Sequence, residues 1–365
     1  MVATSTNFIF TYIKKISLLL VFAFNLTTNI YSQMQAQKAV SLLKQVNMSS
    51  MGIFHGNYSG ITHIEGDTFA IISDKPCKEG KTLKFIRIEQ SPKTGKIVKI
   101  EIVHEQALDL QNTLHYRDCE DIIYDKATKT FHICGEADQA VIEYYKDISP
   151  TGRKYDIPSH CSINHIYNNK GFEALGHSAH QDFFWTTTES HLREDCNKTD
   201  DKIRVRLLCF NKDLSLKAEH IYETEQPIYK YRKSKEYAFG IPAITSLDDG
   251  RLIVMEREMH ITKNYLGSTT SLRLFVINPQ NKKDTIPRHN VWSDTCKPLD
   301  KEELCSFKTH LKIGKMNLAN YEGMCLGRKL SDGRQTLLLI SDSQNGKGNI
   351  FYRLKDYIKV LIMDN

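Results

Sequence analysis

The sequence contains no Cys-x-x-Cys pair and no cysteine–histidine spacing of the zinc type, so a structural zinc site is not indicated. Gly-x-Ser-x-Gly is absent, which removes the nucleophile elbow of serine hydrolases. Glycine-rich phosphate loops are also missing, and Gly346-Lys-Gly348 reads as a turn. No basic run is interleaved with aromatics. The formal charge of +6 over 365 residues falls to about +4 if Lys14 and Lys15 leave with a leader, too mild to imply nucleic acid. Beyond the N-terminal region no apolar run is long enough to span a bilayer. Helical periodicity is scarce throughout. These absences leave an all-β chain with ample length for a core.

Lys14-Lys15 precede the apolar run Ile16–Phe24, and small or polar residues follow to Ser32-Gln33. That pattern predicts a secretory signal over residues 1–33, and hence an exported protein, periplasmic or extracellular. Residues 34–56 read as an N-terminal arm and 57–365 as the folded domain. Export fits nine cysteines. Cys296 with Cys305, and Cys161 with Cys196, are candidate disulfides. In a eukaryotic host it would also expose the glycosylation sequons Asn57-Tyr-Ser59 and Asn197-Lys-Thr199.

One short pattern recurs five times, most clearly at Tyr321–Asp342. A carboxylate opens an apolar strand, a turn reverses the chain, and a second apolar run ends on another carboxylate. Glu120 with Glu136, Glu173 with Glu189, and Glu322 with Asp342 are such pairs. Ser59 with Asp74 and Pro242 with Glu256 are weaker copies. The copies begin 61, 53, 69 and 80 residues apart. A hairpin cannot bury enough surface alone, so copies at such a period predict the blades of a β-propeller. Five blades are visible. A sixth is conceivable from weak strands near Gln226–Tyr237 and Phe307–Lys315. Ser149–Asn169 reads as a long polar loop. Ile350–Leu354 and Ile358–Ile362 read as the last strands.

In an antiparallel hairpin the start of the first strand lies beside the end of the second. The opening and closing acids therefore share one end of each blade. With the first strand innermost, Glu120, Glu136, Glu173, Glu189, Glu256, Glu322, Asp74 and Asp342 would ring one mouth of the central channel. So many carboxylates need cations, arginines or protons among them. Oxygen-only donors suit a hard divalent cation, calcium before zinc. On this reading Glu120, Glu173, Glu189, Glu322 and Asp342 ligate the cation. Glu173 and Glu322 also take part in catalysis, and Arg257 and Lys75 steady the substrate. His55, His63, His177 and His191 are expected near the same mouth. The alternative at every position is structural: a strand-end acid can cap a turn or pair with a neighbouring base.

At these residues the chain resembles the phytase-like β-propeller family, described as having esterase-like activity of phytase. The matching motifs are Tyr58-Ser-Gly-Ile61 with Ile72-Ser-Asp74, Asp118-Cys-Glu-Asp121, and Gly171-Phe-Glu-Ala174 with Thr188-Glu189. Asp249-Gly-Arg-Leu252 with Met255-Glu-Arg257, and Asn320-Tyr-Glu-Gly323 with Leu339-Ile-Ser-Asp342, complete the set. The chain departs from the pattern at Ile241-Pro242, where no acid opens the hairpin. The resemblance implies a secreted or periplasmic propeller that hydrolyses a small-molecule ester or phosphoester. A non-catalytic propeller that binds a ligand or partner, and a calcium-dependent lactonase, are the competing readings. Oligomeric state is left open.

Overall fold

The computed structural model describes residues 40–53, 56–74, 81–107, 117–178, 180–197, 199–281, 291–293, 296–349 and 352–364. The expected signal sequence, His55 and Lys75 lie outside these residues.

Alternating apolar runs separated by tight turns give twenty-two strands and no α-helix among the described residues. The first two are β1 (Val40–Leu42) and β2 (Val46–Asn47). Sheet one follows as β3 (Tyr58–Glu65), β4 (Thr68–Ser73), β5 (Lys81–Gln90) and β6 (Ile97–Ala107). Sheet two holds β7 (Cys119–Asp125), β8 (Thr130–Gly135), β9 (Ala140–Tyr144) and β10 (Pro150–Lys154). Sheet three holds β11 (Phe172–Ser178), β12 (Phe183–Thr188), β13 (Arg204–Phe210) and β14 (Leu216–Glu223). Sheet four runs β15 (Glu236–Ser246), β16 (Leu252–Ile261), β17 (Thr269–Ile277), β18 (Lys301–Lys312) and β19 (Lys315–Met316). Sheet five is β20 (Asn320–Lys329), β21 (Gln335–Asp342) and β22 (Tyr357–Met363).

Every sheet is an antiparallel meander, and the first strands β3, β7, β11, β15 and β20 pack in a closed ring. The protein is a five-bladed β-propeller. No sixth blade forms among the described residues: Glu236-Tyr237 opens β15, and Phe307–Lys315 falls in β18 and β19, all within the fourth sheet.

Sheet five is completed from the other end of the chain. β1 pairs antiparallel with β22, matching Val40 to Met363 and Leu42 to Leu361, and β2 joins the same strand at Ile358. The expected strand at Ile350–Leu354 does not form over its described residues, where Arg353 makes an isolated bridge to Gly348. Ring closure by the N-terminal strands stitches the first and last segments of the domain together. The long loop expected at Ser149–Asn169 begins instead with β10, an exposed edge strand that starts on proline, where no ladder donor is needed.

The core lies between blades. Ile61, Phe69 and Ile86 of blade one pack with Leu338, Ile340 and Val360 of blade five. Trp185, Val205 and Leu207 of blade three pack against Ile244 and Val254 of blade four. Each inter-blade cluster buries the faces that a lone sheet would expose, so the repeats stabilise one another. The candidate disulfides are absent: Cys161, Cys196, Cys296 and Cys305 are all free thiols. Cys161 and Cys296 instead serve as small buried apolar side chains, in separate clusters.

Candidate functional site

Each inner strand carries a β-bulge at the equivalent place in its blade, just inside the first residue of β3, β7, β11 and β20 and further along the longer β15. The register with the second strand jumps between Tyr58 and Gly60, Cys119 and Asp121, Phe172 and Ala174, Gly240 and Ala243, and Tyr321 and Gly323. The residues left out of the ladder are Ser59, Glu120, Glu173, Ile241-Pro242 and Glu322. A bulge kinks the strand and re-aims the extra side chain. That is how three of the five blades turn an acid into the channel while the flanking apolar residues stay in the core.

The same register defines a second tier. Two residues beyond the strand position paired after each bulge stand Asp74, Glu136, Glu189, Arg257 and Asp342. Blade four thus supplies an arginine where the other blades supply acids. The expectation that Glu256 joins the ring is corrected here. It lies one residue off the register, and neighbours on a strand face opposite ways. Glu256 is 1% exposed and accepts hydrogen bonds from the Tyr222 hydroxyl at 2.8 Å and the Lys301 ammonium at 2.8 Å. It is a buried structural ion between blades three and four.

A cavity of about 380 Å³ opens at this mouth, lined by Asp74, Glu120, Glu173, Glu189, Glu322 and Asp342, with Arg257, Lys170 and Lys347 among them. Arg257 is the electrostatic hub. Its Nη2 donates to Glu189 Oε1 at 2.5 Å, and its Nη1 donates to Glu322 Oε1 at 2.6 Å and Asn320 Oδ1 at 2.9 Å. Asn320 donates to the same Glu322 oxygen at 2.7 Å. Lys170 pairs with the other oxygen of Glu189, and Lys347 pairs with Glu236 at 2.8 Å. Burial alone would lower the Arg257 value, but Glu189, Glu322 and Glu173 outweigh it and hold the guanidinium charged.

Glu120 and Glu173 stand apart from this network. They are 9% and 7% exposed, and neither carboxylate has a hydrogen-bond or ion-pair partner among the described residues. One oxygen from each, with one from Glu136, falls within a 4.8 Å cluster. Glu120 also clusters this way with Asp74 and Asp118. Burial pushes Glu120 well above the usual carboxylate range, and Glu173, Asp74 and Glu322 add to the rise. Burial likewise raises Glu173, with Glu189 and Glu136 adding and Arg257 opposing. Asp342 is raised by burial and then by Glu322. Burial also lifts Glu322, to about 7, against the pull of Arg257. Anions crowded and dried in this way lack positive charge, and a bound cation would supply it.

The family model described as "Phytase-like: Esterase-like activity of phytase" matches residues 53–344. The chain belongs to this phytase-like family. No curated protein matches it. Among solved structures, virginiamycin B lyase from Staphylococcus aureus is 12% identical, with a TM-score of 0.36, covering 89% of this chain and 100% of that one. An endo-arabinase from Bacteroides thetaiotaomicron is 10% identical, with a TM-score of 0.41, covering 88% and 96%. An α-L-arabinofuranosidase from Podospora anserina is 7% identical, with a TM-score of 0.41, covering 90% and 98%.

Of the residues expected at the site of this phytase-like propeller, Glu120, Glu173, Glu189, Glu322, Asp342 and Arg257 meet in one cavity. Lys75 follows Asp74 outside the described residues. The histidines do not join them. His63 and His177 sit near the far ends of β3 and β11 and line the opposite mouth, while His191 packs edge-on against Tyr167. Sequence reasoning missed Lys170, Asn320 and Asp118, which complete the ion network and a candidate cation cluster. Asn320 and Asp118 immediately precede two of the inner strands' opening pairs, Tyr321-Glu322 and Cys119-Glu120. That shared position is the signal that could have found them.

Proposed function

We propose that the acid mouth binds a divalent cation and hydrolyses a small ester or phosphoester, phosphoester being favoured by the phytase-like family. The observation that carries this reading is the Glu120–Glu173 pair, two buried carboxylates without a protein partner facing one cavity. Glu120, Glu136 and Glu173, with Asp74 and Asp118, are the residues that would hold the ion. Their all-oxygen character suits calcium. The ion would polarise a phosphoryl or acyl oxygen and lower the pKa of a bound water.

The chain's own groups divide the remaining work. Arg257 fixes Glu189 and Glu322 on the channel wall and holds negative charge there without closing the cavity. Glu322, raised to about 7, has a second oxygen with no hydrogen-bond partner among the described residues and suits proton exchange with a leaving group or water at neutral pH. Ala238 and Met259, from the extended hairpin of blade four, give the cavity an apolar side that excludes water. Export to an oxidising or extracellular space, predicted by residues 1–33, would meet calcium there.

A ligand-binding propeller that breaks no bond is the second reading. It is favoured by the commitment of Arg257, Lys170 and Lys347 to acids, which leaves them little capacity to clamp a substrate anion. Turnover of p-nitrophenyl phosphate, p-nitrophenyl acetate and a simple lactone, with and without calcium, separates the two. Calcium-dependent turnover lost in Glu173→Gln supports hydrolysis. Stoichiometric calcium without turnover of any of the three supports the binding module.

A further inference from the structure

The opposite mouth of the channel holds a larger cavity, of about 1080 Å³, that the acid site does not use. The two share no lining residue, and between them the inner strands are in close contact. A Cβ on Gly60 would meet the Asp121 backbone at 2.8 Å, and one on Gly323 would meet the Ser59 carbonyl at 2.8 Å. The walls of this second cavity mix apolar side chains, Ile61, Leu175, Met324 and Leu326 among them, with polar ones such as Thr62, Thr245 and Gln335.

Its rim is mixed in charge. Lys329 is committed to Asp248 at 2.8 Å, and Arg328 lies 3.8 Å from Asp67. Lys126 has no carboxylate partner among the described residues. Its ammonium sits 3.1 Å from His63 Nδ1, whose other ring nitrogen is 2.9 Å from the Gly66 carbonyl. That carbonyl can only accept, so Nε2 carries the proton and Nδ1 accepts from Lys126. The imidazole is thereby a neutral post that holds the lysine at the rim with donors to spare.

We infer that this mouth is a second binding site, for a small amphipathic carboxylate whose apolar body enters the channel and whose head meets Lys126. A concave cavity that combines apolar side chains with a few convergent polar groups is the usual form of a small-molecule site. The experiment is isothermal titration of the full chain with octanoate, and with octanol as the uncharged comparison. Saturable octanoate binding is expected, with octanol about tenfold weaker, and Lys126→Ala weakening octanoate about tenfold. Lys329→Ala, whose ammonium is already paired, and Glu173→Gln, at the other mouth, are expected to leave octanoate affinity unchanged. Leu326→Glu places a carboxylate on the cavity wall and is expected to weaken octanoate and octanol alike, which gives a readout that does not depend on Lys126. Absence of saturable octanoate binding, equal affinity in wild type and Lys126→Ala, or loss in Glu173→Gln would overturn the assignment.

Discussion

Glu120 and Glu173, bulged residues of adjacent inner strands, bring carboxylate oxygens within 4.8 Å of one another with no protein cation between them. Two like charges at that distance in a buried site oppose each other strongly unless one is protonated or a cation intervenes. The pair therefore makes the native state's stability depend on what occupies the mouth.

Calcium should stabilise the protein by mass action. At a free concentration of about 100 Kd the gain is about 2.7 kcal/mol, visible as a rise in melting temperature that chelator reverses. In Glu173→Gln the repulsion is relieved and a ligand is lost. The metal-free variant should melt above metal-free wild type, while its response to calcium largely disappears. An unaltered calcium response in the variant would place the ion elsewhere.

The pH dependence of the metal-free protein follows from the same groups. Glu120, Glu173 and Asp342 are raised well above their ordinary values in the folded chain, and Glu322 is raised to about 7. The folded state then binds more protons than the unfolded state above the ordinary carboxylate range. Stability from these groups is present at low pH and is lost as pH rises through the raised values. Urea unfolding of metal-free protein should show stability falling between about pH 5 and about pH 7. Glu173→Gln should fall less steeply. Stability rising across that interval to the same degree in both proteins would contradict the assignment.

How far the sequence carried this picture depended on which features were periodic. The five hairpins and their acids were legible because strand pattern and turn residues repeat. Glu256 was misplaced because a repeat read from strings of similar letters cannot see a bulge. Blade four leaves out Ile241 and Pro242 where other blades leave out one residue, and the closing position passes to Arg257. The N-terminal closure of sheet five was hidden because β1 and β2 are short and pair across the whole length of the chain. The second cavity was invisible for a similar reason. His63, Lys126, His177 and Ser246 come from different blades and share no motif. Only the ring geometry assembles them.

Gly240 tests the close approach between blades three and four. A Cβ there would lie 2.3 Å from the Glu189 carbonyl oxygen, which also accepts from the Ile241 amide at 3.0 Å. Backbone cannot yield as a side-chain tip can, so Gly240→Ala should destabilise by about 1–3 kcal/mol. It should also shift Glu189 and reduce the calcium-dependent rise in melting temperature. A substitution that leaves both stability and that rise unchanged would mean the two strands sit farther apart than found here.

Arg257 gives the sharpest separation of structural from catalytic roles. It is buried, and its guanidinium joins Glu189 of blade three to Glu322 of blade five. Arg257→Met removes the charge while roughly keeping the volume, and leaves Glu189 with Lys170 alone and Glu322 with only the Asn320 amide. Breaking one side of a buried ion network costs about 3–5 kcal/mol, so chemical denaturation should show a loss of that order. Neutralising the acids as well, in Arg257→Met with Glu189→Gln and Glu322→Gln, should restore much of it, since the penalty lies in the unpaired charges. If the triple variant folds, binds calcium through Glu120 and Glu173, and still turns over substrate, Arg257 is a counter-ion alone. If calcium binding survives and turnover does not, the Arg257–Glu322 pair takes part in the chemistry, and the proton exchange assigned to Glu322 gains its support.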